Sequence, residues 1–221
     1  MAPNVVVLTE PKYSIVLLSI IEHFEPRAQV RFLFTAEDLG NYFAKPAEIT
    51  RFIAFFTPVM VPAATLERIG SPAYNIHPGP PAYPGRYPVA FALYDGVRRF
   101  GATAHVMTAR VDSGPIVAVA EFDVEDGADL DWLNARTYKA ALKLFMHLCP
   151  ALLRTTAPLP TSSIRWSERR STRATLQAMC EIPPDIAPEE LERRLRAFSL
   201  VAPEPFRLTL HGRRFRLVPE E

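Results

Sequence analysis

The chain has 221 residues, 48% hydrophobic and 22% charged, which suits one core-forming domain with a small appendage and excludes general disorder. A net charge of +1 argues against a dedicated nucleic-acid surface, and Cys149 and Cys180 have neither metal, redox nor disulfide-framework spacing. The opening MAPNVVVLTEPKYS lacks the basic start and length of a signal peptide, and no apolar run reaches membrane-spanning length, so a soluble, cytoplasmic protein is expected.

In chain order, NVVVL (4–8) predicts a buried parallel strand. YSIVLLSIIEHF (13–24) follows with apolar residues at helical spacing and Ser14 as N-cap. AQVRFLFT (28–35) and RFIAFFT (51–57) are the next strands, PAATLERIG (62–70) a short helix closed by glycine, and AYNIH (73–77) a fourth strand. VAFALYDG (89–96) is a helix, GATAHVMTA (101–109) and PIVAVAEFDV (115–124) are strands, and 130–153 is one long helix. TTAPLPTSS (155–163) reads as a linker between a domain over 1–154 and a small subdomain over 164–221. In that tail APEELERRLRAFS (187–199) is a helix with acidic start and basic end, and FRLTLHGRRFRLV (206–218) a hairpin turning at His211-Gly212. Strands alternating with helices predict a Rossmann-like α/β fold with a mostly parallel sheet, followed by a helix-plus-hairpin appendage. The 22 prolines are scattered between apolar segments and serve as loop punctuation.

The stretch YNIHPGPPAYPGRYP (74–88) carries the chemistry. Side chains alternate along a strand, so Asn75 and His77 share a face while Ile76 turns into the sheet. They end a parallel strand, where open α/β sheets place ligands, and the prolines that follow stop the backbone from refilling the space. VDSGP (111–115) brings Asp112 in a tight turn beside Ser113-Gly114, where backbone can approach a ligand. An amide and an imidazole that stabilise an oxyanion, with a carboxylate that fixes the imidazole, suit acyl transfer to an amine without a covalent nucleophile. Asn75 and His77 alone are equally readable as turn formers, and His105, between Ala104 and Val106, as a core histidine.

The ordered set NIHP (75–78), GATAHVM (101–107) and DSGPI (112–116) resembles the formyltransferases that use N10-formyltetrahydrofolate. FIAFFTPVMVPAATL (52–66) is similar to the family's segment of strand, folate-contacting loop and short helix, and the resemblance is strongest over residues 50–125. It implies that Asn75, His77 and Asp112 form the catalytic trio, with His105 and Gly114 shaping the site. It also implies that Val59, Met60, Val61 and Thr108, Ala109, Arg110, Val111, Asp112 enclose the folate. No metal site is expected, since the histidines lack ligand spacing and the chemistry needs no Lewis acid. With only 74 residues before Asn75, a shortened amino-terminal half of the sheet is expected.

The loop TEPKYS (9–14) has no glycine, whereas relatives acting on glycinamide ribonucleotide cradle a phosphate there with a Gly/Ser-rich loop, so that acceptor is disfavoured. The tail pattern LRAFSLVAPEPF with LHGRRFRL resembles formyltransferases acting on nucleotide-linked amino sugars. The expectation is N-formyl transfer to a small-molecule amine on such a sugar, with a homodimer left open. A formyltetrahydrofolate hydrolase and a non-catalytic relic or binding module stand as the alternatives.

Overall fold

A computed structural model describes residues 2–45, 48–201 and 206–217. Its main sheet has six strands, β1 (Asn4–Thr9), β2 (Gln29–Leu33), β3 (Arg51–Phe55), β4 (Tyr74–His77), β5 (Arg99–Val106) and β6 (Ile116–Asp123), in the order β2-β1-β3-β4-β5-β6. The first four pair in parallel, β5 pairs antiparallel with β4, and β6 antiparallel with β5. Strand β1 is apolar from Val5 to Leu8 because helices cover both faces. Val5 and Val7 pack beneath α1 (Pro11–Phe24) and α5 (Leu130–Arg154), whereas Val6 and Leu8 pack beneath α2 (Ala36–Phe43).

Two helix starts differ from the sequence expectation. Helix α1 begins at Pro11, whose missing N–H costs nothing in the first turn, with Glu10 as N-cap. Ser14 is therefore not the cap; its Oγ donates to the Pro11 carbonyl at 2.7 Å. Helix α2 had no counterpart in the sequence reading. A capping box starts it: Asp38 N–H donates to Thr35 Oγ1 and Thr35 N–H to Asp38 Oδ2, both at 3.0 Å. Its apolar face is sparse, Leu39 and Phe43 being the buried pair, and Gly40 interrupts the pattern.

Buried Arg51, at the start of β3, ties the sheet to the end of α5. Its guanidinium donates to the carbonyls of Leu152 (3.2 Å), Pro72 (2.9 Å) and Thr155, and lies 5.0 Å from the Tyr74 ring. The carbonyls at the end of α5, which no helical N–H reaches, thus have a cation to accept from.

Helices α3 (Ala63–Arg68) and α4 (Pro88–Asp95) follow β3 and β4, and α4 closes on Gly96 in the left-handed conformation. After α5 the chain has no regular element up to Ser171, but it is held: Leu159 N–H donates to Tyr74 Oη at 2.8 Å and Ser162 N–H to the Ile116 carbonyl at 2.7 Å. The tail comprises α6 (Arg173–Cys180), β7 (Glu181–Ile182), α7 (Pro188–Phe198) and the hairpin β8 (Arg207–Leu210) with β9 (Arg213–Arg216). Helix α6 and β7 are additions to the expected tail. The hairpin turns at His211 and Gly212, with φ of 49° and 74°, as a two-residue left-handed turn requires. Residues 202–205 of the tail pattern and Val218 at the hairpin's expected end lie outside the described residues. Phe198 packs on α4, 5.1 Å from the Phe91 ring, within a second core shared by α4, α6 and α7.

Candidate active site

The site is assembled on one face of the β4–β5 ladder. Tyr74 and Ile76 point into the core beneath α1 and α5, so Asn75 and His77 point to the opposite face. The antiparallel register sets His105 directly across from Asn75 and Thr103 across from His77. Asn75 Nδ2 lies 3.1 Å from His105 Nε2, while His105 Nδ1 faces the Val106 carbonyl at 2.9 Å. His105, ambiguous in sequence, is thus part of the cluster. On β3, Ala54 pairs with Asn75, and its short side chain leaves the space beside the amide open to the cleft.

Asp112 enters from the loop between β5 and β6. Its Oδ2 lies 3.4 Å from His77 Nδ1 and accepts the Gly85 N–H at 2.8 Å; its Oδ1 lies 3.3 Å from His105 Nε2 and 3.5 Å from Asn75 Nδ2. The residue has φ of 42°, in the left-handed region, so neighbouring contacts must hold its backbone there. Gly114 makes the tight turn possible, since a Cβ there would sit 1.9 Å from the Val106 carbonyl oxygen.

The sequence expectation that Asn75 and His77 both face an open pocket holds for Asn75 and changes for His77. The proline loop folds back over the imidazole, leaving it 3% exposed, with Nε2 2.9 Å from the Tyr83 carbonyl oxygen. Gly79 permits that approach, because a Cβ there would lie 2.9 Å from His77 Nε2. Thr103 Oγ1 fixes the loop by donating to the Gly79 carbonyl at 2.7 Å.

Burial pushes His77 below the ordinary imidazole value, against the opposing pull of Asp112 and the Tyr83 carbonyl, and nearby His105 and Arg170 push it further down. Burial also opposes ionisation of Asp112, but His77, the hydrogen bond and charge of His105, and the Gly85 N–H outweigh it and bring the carboxyl to about 2. The cluster therefore holds a carboxylate with a hydrogen-bonded imidazole beside an amide, a set that can orient an imidazole and steady developing negative charge.

A cleft of about 580 Å³ opens beside the cluster. Asn75, His77, His105 and Asp112 line it, as do Val59, Met60, Val61 and residues 108–111. Met60 and Val111 present apolar side chains that are 54% and 38% exposed. The 108–113 loop is held by its own side chains: Thr108 Oγ1 and Ser113 Oγ both donate to the Arg110 carbonyl, at 2.9 and 2.7 Å. Arg86 and Arg110 add positive charge to the walls, whereas Lys12 pairs with Glu10, also in the lining, at 3.0 Å. Among the described residues no group of three or more His, Cys, Asp or Glu side chains could hold a metal, and no helix is long and apolar enough to cross a membrane.

Sequence reasoning missed Tyr83, Gly85, Trp166 and Arg170. Tyr83 and Gly85 act through backbone atoms, which residue type does not advertise, although Pro84-Gly85 marks a turn. Trp166 and Arg170 come from the segment after α5 and carry no spacing signal relative to the trio. Trp166 Nε1–H donates to the Gly114 carbonyl at 2.8 Å, and its ring meets His77 and His105 edge-to-face at 5.6 and 5.0 Å.

Comparison with known proteins gives a family model, formyl transferase, matching residues 31–148. Phosphoribosylglycinamide formyltransferase of Mycobacterium tuberculosis is 36% identical over 114 residues, 47% of this chain and 53% of that protein. The chain spans about half the length of the curated relatives it matches. A sugar N-formyltransferase from Shewanella superposes with a TM-score of 0.75 at 14% identity, over 97% of this chain and 96% of that one. An N-formyltransferase from Helicobacter canadensis, solved with folinic acid and dTDP-3-aminofucose, superposes with a TM-score of 0.69 at 15% identity, over 96% and 85%. At these identities the two solved structures speak for the fold.

Proposed function

The chain belongs to the formyl transferase family, and on that footing we propose that it moves a formyl group from N10-formyltetrahydrofolate to the primary amine of a nucleotide-linked amino sugar. The observation that carries the reading is the Asn75–His77–His105–Asp112 cluster at the wall of a cleft with exposed apolar Met60 and Val111. That wall suits a flat ring of the pterin kind, and Arg86 and Arg110 suit the carboxylates or phosphates of the two substrates.

The donor supplies a carbonyl carbon on a nitrogen leaving group, and a neutral amine needs no covalent help to attack it. Asn75 and His77 stabilise negative charge as it develops on the formyl oxygen. Asp112 holds the His77 ring in place, and the pair moves the amine proton toward the leaving nitrogen. To act, His77 exchanges its contact with the Tyr83 carbonyl for one with substrate.

The amino-sugar acceptor rests on the likeness to sugar N-formyltransferases and on the first loop. A second reading, glycinamide ribonucleotide as acceptor, draws on the Mycobacterium relative. The N-terminus of α1 speaks against it: Glu10 caps the helix and Pro11 removes an N–H, so a phosphate there would meet a carboxylate and one donor fewer.

Tetrahydrofolate release, followed with and without nucleotide-linked amino sugars and glycinamide ribonucleotide, tests the reading. Release only with an amino sugar is expected. Asn75→Ala and His77→Ala should each lower turnover by about 100-fold or more while the protein stays folded. Full activity in both variants would sink the assignment, and release without any amine would replace transfer by hydrolysis.

A further inference from the structure

The segment Trp166–Ser171 crosses the site and stitches its two loops together. Ser167 N–H donates to the Pro81 carbonyl at 2.9 Å, Ser171 N–H to Pro84 at 3.1 Å, and Arg86 N–H to Ser171 at 3.0 Å. At the crossing stands Gly85, with φ of 104°, where a Cβ would lie 2.1 Å from the Ser171 carbonyl oxygen. On the other loop, Trp166 holds the Gly114 carbonyl and Arg170 Nη2 donates to the Asp112 carbonyl at 3.0 Å, with Nη1 donating to Val111. Arg170 Nε is sealed from solvent and has no partner among the described residues, so that nitrogen gives up hydration to sit there.

We infer that Arg170 is a positioning residue for the reaction: by clamping the carbonyls of Val111 and Asp112 it keeps Asp112 in its left-handed conformation, with the carboxylate between His77, His105 and the Gly85 N–H. The family match ends at residue 148, so this clamp lies in a part of the chain that the match does not cover. Two carbonyls on adjacent peptides need two N–H groups at fixed spacing. A planar guanidinium supplies them as a rigid fork; an ammonium is a compact point charge on a flexible stem and holds the pair less firmly. Without the clamp, Asp112 is free to relax toward negative φ, which swings its carboxylate away from both histidines. This inference rests on the proposed formyl transfer only for its kinetic readout.

The test combines turnover with amide exchange at Gly85, whose N–H is held by Asp112. Arg170→Ala is expected to cut kcat by about 100-fold with KM for the folate changed less than about threefold, the signature of a misplaced group. Gly85 exchange should quicken by about tenfold, while core amides such as Leu133 and the melting temperature stay put. Added guanidinium should restore part of kcat to Arg170→Ala, and Arg170→Lys should fall between the two. Arg165→Ala, an exposed arginine nearby, should behave as wild type. Unchanged kcat in Arg170→Ala, or a loss matched by loss of folded protein, overturns the inference. If wild type turns over no amine at all, the formyl-transfer reading fails and Gly85 exchange alone decides: faster exchange sustains the clamp and unchanged exchange removes it.

Discussion

Asp112→Asn converts the electrostatics of the cluster into a stability measurement. The carboxyl is held at about 2 in the fold against an ordinary 3.8. At 1.36 kcal/mol per pH unit, that difference is worth about 2 kcal/mol. Asp112 is 3% exposed, so solvent screening takes little from it. The depressed value means the unfolded chain binds the proton first. The contribution is fully present above about pH 4 and disappears as pH falls through about 2.

His77 adds a second, separate slope. Its folded value lies below the ordinary 6.5, so the unfolded chain takes up that proton first and stability falls as pH drops below about 6.5. Urea unfolding of wild type and Asp112→Asn from pH 7 to pH 2 reads both effects. Between about pH 5 and pH 2 the wild type should lose about 2 kcal/mol more than Asp112→Asn, while the decline beginning near 6.5 is present in both. Parallel curves over the whole range would refute the claim that Asp112 is ionised and held by its neighbours.

Arg51→Met should destabilise the fold by about 3 kcal/mol, because it strands the buried Leu152 carbonyl and the half-buried Pro72 carbonyl; a stability loss in urea below about 1 kcal/mol would show that water replaces the guanidinium. Gly114→Ala places a methyl against the Val106 carbonyl oxygen, so the turn must open. Turnover should fall by about tenfold or more with folate affinity weakened too, and wild-type kinetics would mean that the turn has slack.

The candidate set Asn75, His77 and Asp112, which the fold brings together, was legible in the sequence because its signals are local. Strand alternation alone puts Asn75 and His77 on one face, and an Asp-Ser-Gly-Pro turn needs no partner to be recognised. Uninterrupted apolar runs such as NVVVL predicted buried parallel strands for the same reason: covering both faces of a sheet leaves an unbroken apolar run in the residues themselves. Helix α2 escaped because two buried residues in eight make no visible periodicity, although its capping box stood in the text at Thr35 and Asp38.

The remainder was decided by tertiary structure. His105 joined the cluster through a strand register that sets it opposite Asn75, and register is a property of a pair of strands. His77 is enclosed because a loop returns over it and offers the Tyr83 carbonyl, and the Gly85 N–H and the Asp112 carbonyl likewise act as backbone atoms common to every residue type. Arg170 reaches Asp112 across 58 positions of sequence, where no spacing rule operates. The sequence by itself determined which side chains can do the chemistry, since composition and strand parity fix that locally. Only the fold determined how they are held, because the holding is done by hydrogen bonds between segments that meet nowhere but in three dimensions.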